Sequence, residues 1–295
     1  MSTMLLGFIA GVTILLGLPI GRLRRPAPAL RALLNATAIG VLLFLVWDVL
    51  SAAWAPIDDA LTSVHEGKGG LGTAAGYGVL FTAGLAAGLL SLVYYESWME
   101  RRISRARASA AGPGRHGPGA MGVGEIKAAR TSRIATWSAA RRLSLLIAVG
   151  IGLHNFAEGL AIGQSAASGE LALALVLVIG FGLHNATEGF GIVAPLAGDI
   201  DRHGNILRPS WGFLLSMGAI GGGPTFVGTL VGHGFTSEPV SVVFLALAAG
   251  SILYVVTQLV GVAAKTRRPD LLAYGLILGL FAGFLTDAIV TAAGV

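Results

Sequence analysis

The chain has 295 residues, of which 54% are hydrophobic and only 12% charged, and its mean hydropathy is +0.77. A soluble domain carries roughly a quarter charged residues, so this composition excludes a water-soluble protein and points to a membrane protein. The net charge of +5 is not a nucleic-acid signal, because the basic residues cluster between apolar runs, and the lack of cysteine excludes disulfides and thiolate metal sites.

Crossing a bilayer takes roughly 20 apolar residues. The first such run, 4–21, lacks a positive n-region, and Arg22, Arg24 and Arg25 follow it, so it reads as a retained span and not a signal peptide. Further spans are expected at 32–54, 72–97, 143–165, 170–195, 210–232, 239–262 and 271–294. The prediction is an all-α, eight-helix membrane bundle, one domain over 1–295, with a long cytoplasmic loop at 98–142. Alternate loops carry Arg22 to Arg31, Arg101 to Arg142, Arg202 and Arg208, and Lys265 to Arg268. Only Lys68 of the 20 Lys and Arg lies on the other side. The positive-inside rule makes the basic loops cytoplasmic and puts both termini outside. An odd number of spans would break this alternation.

The 101–141 connection is rich in Arg, Ala and Gly, with Gly112-Pro113-Gly114 and Gly117-Pro118-Gly119, and holds His116. It reads as a flexible linker with surface helix around 125–141, solvated near anionic headgroups. Small residues throughout the spans let helices approach closely. The 221–224 run, Gly-Gly-Gly-Pro, is expected to kink or loosen the sixth span and free backbone carbonyls.

The fourth and fifth spans each contain one pattern. The first copy is Gly150-Ile151-Gly152-Leu153-His154-Asn155-Phe156-Ala157-Glu158-Gly159. The second is Gly180-Phe181-Gly182-Leu183-His184-Asn185-Ala186-Thr187-Glu188-Gly189. His and Glu at i and i+4 share one helix face, one turn apart. Both histidines fall near the middle of their spans, and the short connection makes the spans antiparallel neighbours. One such pair can be a self-satisfied polar patch. Four buried ionisable groups at matched depth are hard to justify as packing alone.

Imidazole and carboxylate without thiolate suit zinc, iron(II), manganese, cobalt or nickel. Asn155 and Asn185 can supply a carbonyl ligand or bond between helices. The glycine after each Glu leaves room for an ion or for a neighbouring backbone. Asp48 and Asp287 are candidates to line an approach path. Gln258 reads as interhelical glue, Asn35 as packing, and His65, Glu66, His233 and Glu238 as surface residues.

These residues resemble the zinc- and iron-regulated transporter-like (ZIP) metal transporters, in particular a bacterial branch whose fourth and fifth spans read His-Asn-x-Pro-Glu-Gly. The resemblance extends over essentially the whole chain. It implies metal ligands at His154, Asn155 and Glu158 and at His184, Asn185 and Glu188. It also implies glutamate bridges in a site that is often binuclear, an inverted repeat relating spans 1–3 to spans 6–8, and a homodimer. Four positions depart from the family's pattern. Ala157 and Thr187 replace the motif prolines, Thr225 stands where the sixth span usually has a carboxylate, and Gln258 stands where the seventh has a Glu. Two missing carboxylates weaken a second metal position, so one strong site is expected.

The expected function is divalent metal transport, zinc first, in a bacterial inner membrane, by alternating exposure of a midplane site. The expected partners are the metal ion as substrate and the lipid bilayer, with no nucleic acid and no separate cofactor; no enzymatic activity is expected. Two rivals are an intramembrane metal-dependent hydrolase and a metal-binding relative that does not transport. The first lacks a His-Glu-x-x-His signature and any separate general base.

Overall fold

A computed structural model describes residues 3–22, 28–110, 137–169, 171–199, 207–234 and 237–292. Among the described residues there is no strand, and eight helices are long and apolar enough to cross a membrane. They are α1 (Thr3–Val12, continued by the 3₁₀ turns Thr13–Leu16 and Leu18–Arg22), α2 (Pro28–His65), α3 (Leu71–Ala110) and α4 (Ala139–Ala167). Then come α5 (Leu171–Val193), α6 (Trp211–His233), α7 (Glu238–Ala264) and α8 (Pro269–Ala292).

Apolar runs locate the spans but not the helix ends. α2 reaches His65 and α3 reaches Ala110, both past the predicted limits of 54 and 97. Residues beyond the apolar window can stay helical, because water satisfies helical backbone as well as hydrocarbon tolerates it. His116 and most of the predicted surface helix at 125–141 lie outside the described residues. At the end of that segment Ser138 caps α4, its Oγ accepting from Arg141 N at 3.3 Å.

The first span is not one regular α-helix. Its second half tightens to 3₁₀ geometry around Gly17 and Pro19. Pro19 has no N–H to continue an α-helical ladder. Gly17 lies against α5 so closely that a Cβ there would sit 2.7 Å from Gly189 Cα.

The helices fall into two packed groups, α1, α4, α5 and α6 in one and α2, α3, α7 and α8 in the other. They meet mainly where α4 lies on α7 and α5 on α2. Polar side chains fasten these seams. Ser144 Oγ donates to Ile192 O at 2.7 Å between α4 and α5, and Ser251 Oγ donates to Gly150 O at 3.0 Å between α7 and α4. As expected, Asn35 packs by donating to Leu259 O at 3.3 Å.

The α4–α6 pair is the most extensive interface, and it is made of glycines. A Cβ on Gly159 would meet Thr229 N at 2.8 Å, and one on Gly232 would meet Leu160 Cα at 2.8 Å. Small residues bring the two backbones together where hydrocarbon supplies no hydrophobic drive. The 221–224 run does not break α6: the helix continues through Pro224. The carbonyl of Gly221 accepts a hydrogen bond from Asn155 Nδ2 at 3.0 Å, and Gly222 packs on the backbone of Gly11. The run serves close packing against α1 and α4.

Candidate metal centre

The two motif copies sit at the centre of the first helix group. His154 and Glu158 project from one side of α4, and His184 and Glu188 from one side of α5, as i, i+4 spacing requires. His154 Nε2 lies 2.8 Å from Glu158 Oε1, and His184 Nε2 contacts the same oxygen from across the helix pair. The imidazole centroids are 6.1 Å apart. One ligand atom from each of His154, Glu158 and His184 lies within 4.8 Å of the other two. Glu188 stands beside this triad, its Oε1 3.9 Å from His154 Nε2.

These groups are withdrawn from solvent. The side chains of His154, Glu158 and Glu188 are 1%, 4% and 0% exposed, whereas that of His184 is 12% exposed. The centre therefore opens on the His184 side, beside the ring of Phe181 at 5.5 Å.

Several atoms here lack a hydrogen bond. Both nitrogens of His154, Oε2 of Glu158 and both oxygens of Glu188 are buried without a partner. His154 Nε2 nevertheless keeps its close contact with Glu158 Oε1 at 2.8 Å. Buried polar atoms left unpaired cost of order 1–3 kcal/mol each, and carboxylates more. Converging lone pairs from imidazole and carboxylate are a donor set that a divalent transition metal satisfies.

The asparagines donate their amide nitrogens to neighbouring backbone, and the Asn155 side chain also faces Glu188. Asn155 Nδ2 donates to Gly221 O of α6, and Asn185 Nδ2 donates to Ala10 O of α1, both at 3.0 Å. The same motif position thus ties each motif helix to a neighbouring backbone. The Oδ1 atoms of both asparagines stay buried and unpartnered. Asn155→Ala and Asn185→Ala are each expected to lower stability by about 1 kcal/mol, an interhelical bond's worth in a membrane. Thermal melting of the detergent-solubilised protein checks this, and an unchanged melting temperature would show that these bonds are not structural.

The glycines after the glutamates hold backbone and not an ion. A Cβ on Gly189 would fall on Ile14 O and 2.9 Å from Gly17 Cα. One on Gly159 would fall on Thr225 O. Both glycines therefore fix how near α1 and α6 come to the motif helices.

Around the triad, Asp48 of α2 is half-buried and within electrostatic reach of both histidines and of Asp287 on α8. Thr225 Oγ1 of α6 is buried and has no hydrogen-bond partner. Gln258 bonds between helices as expected, its Nε2 donating to Glu96 Oε2 at 3.3 Å. Sequence reasoning missed Glu96, which also accepts from Tyr254 Oη at 3.0 Å. The available signal was an acidic residue inside the last turns of an apolar span.

A family model described as ZIP zinc transporter matches residues 104–291, from the end of α3 through most of α8. No curated protein matches the chain.

Proposed function

The chain belongs to the ZIP zinc transporter family, so it is an integral membrane protein of a family that moves divalent metal ions, and we propose that its own cargo is zinc, carried through the centre on α4 and α5 near the membrane midplane. The convergence of His154, Glu158 and His184 on one point carries this reading. Glu188 is the fourth ligand, a short side-chain movement from the triad. Two imidazoles and two carboxylates complete a tetrahedral N/O set of the kind zinc accepts. Two carboxylate charges balance those of a divalent cation, and protons released from the ligands as metal binds can travel the other way.

The two helix groups supply the moving parts. Displacement of α1, α4, α5 and α6 against the others exposes the site to each side in turn. The membrane is a bacterial inner membrane, with both termini outside and basic loops inside. Asp48 and Asp287 attract cations towards the site along an approach path. Thr225 and Gln258 add no charge, which favours one metal ion over two.

Flux of radiolabelled zinc into proteoliposomes tests the proposal. Saturable uptake, competed by excess iron(II), manganese or cobalt to differing degrees, is the expected result. Uptake no faster than in empty vesicles would refute it. The neutral residues at 225 and 258 favour one alternative, a relative that binds metal without moving it. Zinc binding without flux identifies that protein, and Thr225→Glu with Gln258→Glu would then be expected to restore movement.

A further inference from the structure

Away from the metal centre, the second half of α3 carries charges of both signs. Glu96 and Glu100 lie one turn apart, and Tyr254 of α7 is within electrostatic reach of both. At 100° per residue, Tyr94, Trp98, Arg101 and Arg105 fall on roughly the opposite side of the helix. There they line an open hollow of about 390 Å³, together with Ser97 and Arg102.

The hollow is graded along the helix. Its apolar end is Tyr94, 68% exposed, and Trp98, 48% exposed. Trp98 is stacked with Tyr95 at 5.8 Å and covered by the Arg102 guanidinium at 4.2 Å, so its ring is held in place. Arg101 and Arg105 follow one and two turns on, both exposed, with no ion pair to an acidic side chain among the described residues. The apolar run of α3 gives way, just after residue 97, to Glu100, Arg101 and Arg102. Aromatic rings thus stand at the edge of the hydrocarbon, and guanidinium groups stand at headgroup level just beyond.

We propose that this face of α3 binds the headgroup of an anionic phospholipid. Arg101 and Arg105 hold the phosphate, while Tyr94 and Trp98 pack on the glycerol and the upper acyl chain. Guanidinium groups pair with phosphate oxygens in a fixed fork, which makes arginine suited to this contact. The acyl chain selects a lipid over free phosphate, because the rings offer it a surface where the membrane begins. Glu96 is taken up by Tyr254 and Gln258 of α7, and Glu100, which borders Arg101 and Arg105, is outnumbered there by Arg101, Arg102 and Arg105.

Native mass spectrometry of the full chain in detergent, titrated with phosphatidylglycerol or phosphatidylcholine, tests this. The wild type is expected to retain phosphatidylglycerol in preference to phosphatidylcholine. Arg101→Gln with Arg105→Gln should weaken that retention on the order of thirtyfold, since each basic residue near a membrane surface contributes about fivefold. Arg101→Lys with Arg105→Lys should keep part of it, showing that the loss is not misfolding. Equal retention of the two lipids by the wild type would overturn the proposal. So would unchanged phosphatidylglycerol retention in the glutamine variant, or displacement of the lipid by millimolar inorganic phosphate.

Discussion

Replacing Glu158 with alanine is expected to abolish zinc flux and to weaken zinc binding by more than about 100-fold. Losing a partner that merely orients a metal ligand costs about 10–100-fold in affinity, and a direct ligand costs more. Glu158 is placed to be such a ligand, because a single oxygen of its carboxylate meets both imidazoles. Glu188→Ala should cost less binding, since Glu188 stands beside the triad, 3.9 Å from His154. It should still remove transport, because one of the two charges that balance the cation is gone. Calorimetric titration of zinc with each purified variant, beside flux in proteoliposomes, measures both effects. Gel filtration in detergent confirms that the variants remain folded. Full flux in a folded Glu158→Ala protein would move the pathway away from α4 and α5.

Gly189→Val and Gly159→Val are expected to be the most damaging changes outside the ligands, each destabilising by about 3 kcal/mol or more. Valine's first carbon alone collides with backbone at both sites: Ile14 O and Gly17 on one side, Thr225 O and Thr229 N on the other. Backbone atoms cannot swing aside as a side-chain end does, so the whole neighbouring helix must retreat. The next residue towards the site is Glu188 or Glu158, so a retreating helix also moves a proposed ligand. The expected result is a lower melting temperature together with weaker zinc binding. Gly261→Val is the control, because a Cβ there meets nothing within 4 Å. Equal melting temperatures for all three variants would show that the tight α1–α5 and α4–α6 approaches do not limit stability.

Most of the architecture was legible in the residues. Eight apolar runs of membrane length appear as eight helices, because hydrocarbon forces each crossing segment to satisfy its own backbone. The paired His and Glu were legible too, since ionisable groups inside apolar runs stand out against the residues around them. Less visible were the 3₁₀ half of the first span and the extensions of α2 and α3. Hydropathy reports the solvent around a segment and not its hydrogen-bond pattern. Glu96 escaped notice for a related reason: near a span's end, a partnered carboxylate and a solvated one look alike in sequence.

The role of each motif position divides the same way. By itself the sequence determined the membrane class, the span number and the helix face shared by each His and Glu, because i, i+4 spacing is a local property of the helix. The tertiary structure decided which atoms converge. It brings Glu158 between the two imidazoles and leaves Glu188 at the side, it commits both asparagine amides to neighbouring carbonyls, and it fills the space beside both motif glycines with backbone. Those outcomes depend on the spacing and rotation between helices. Spacing and rotation follow from how side-chain volumes fit across an interface, and no spacing within a single helix records that fit.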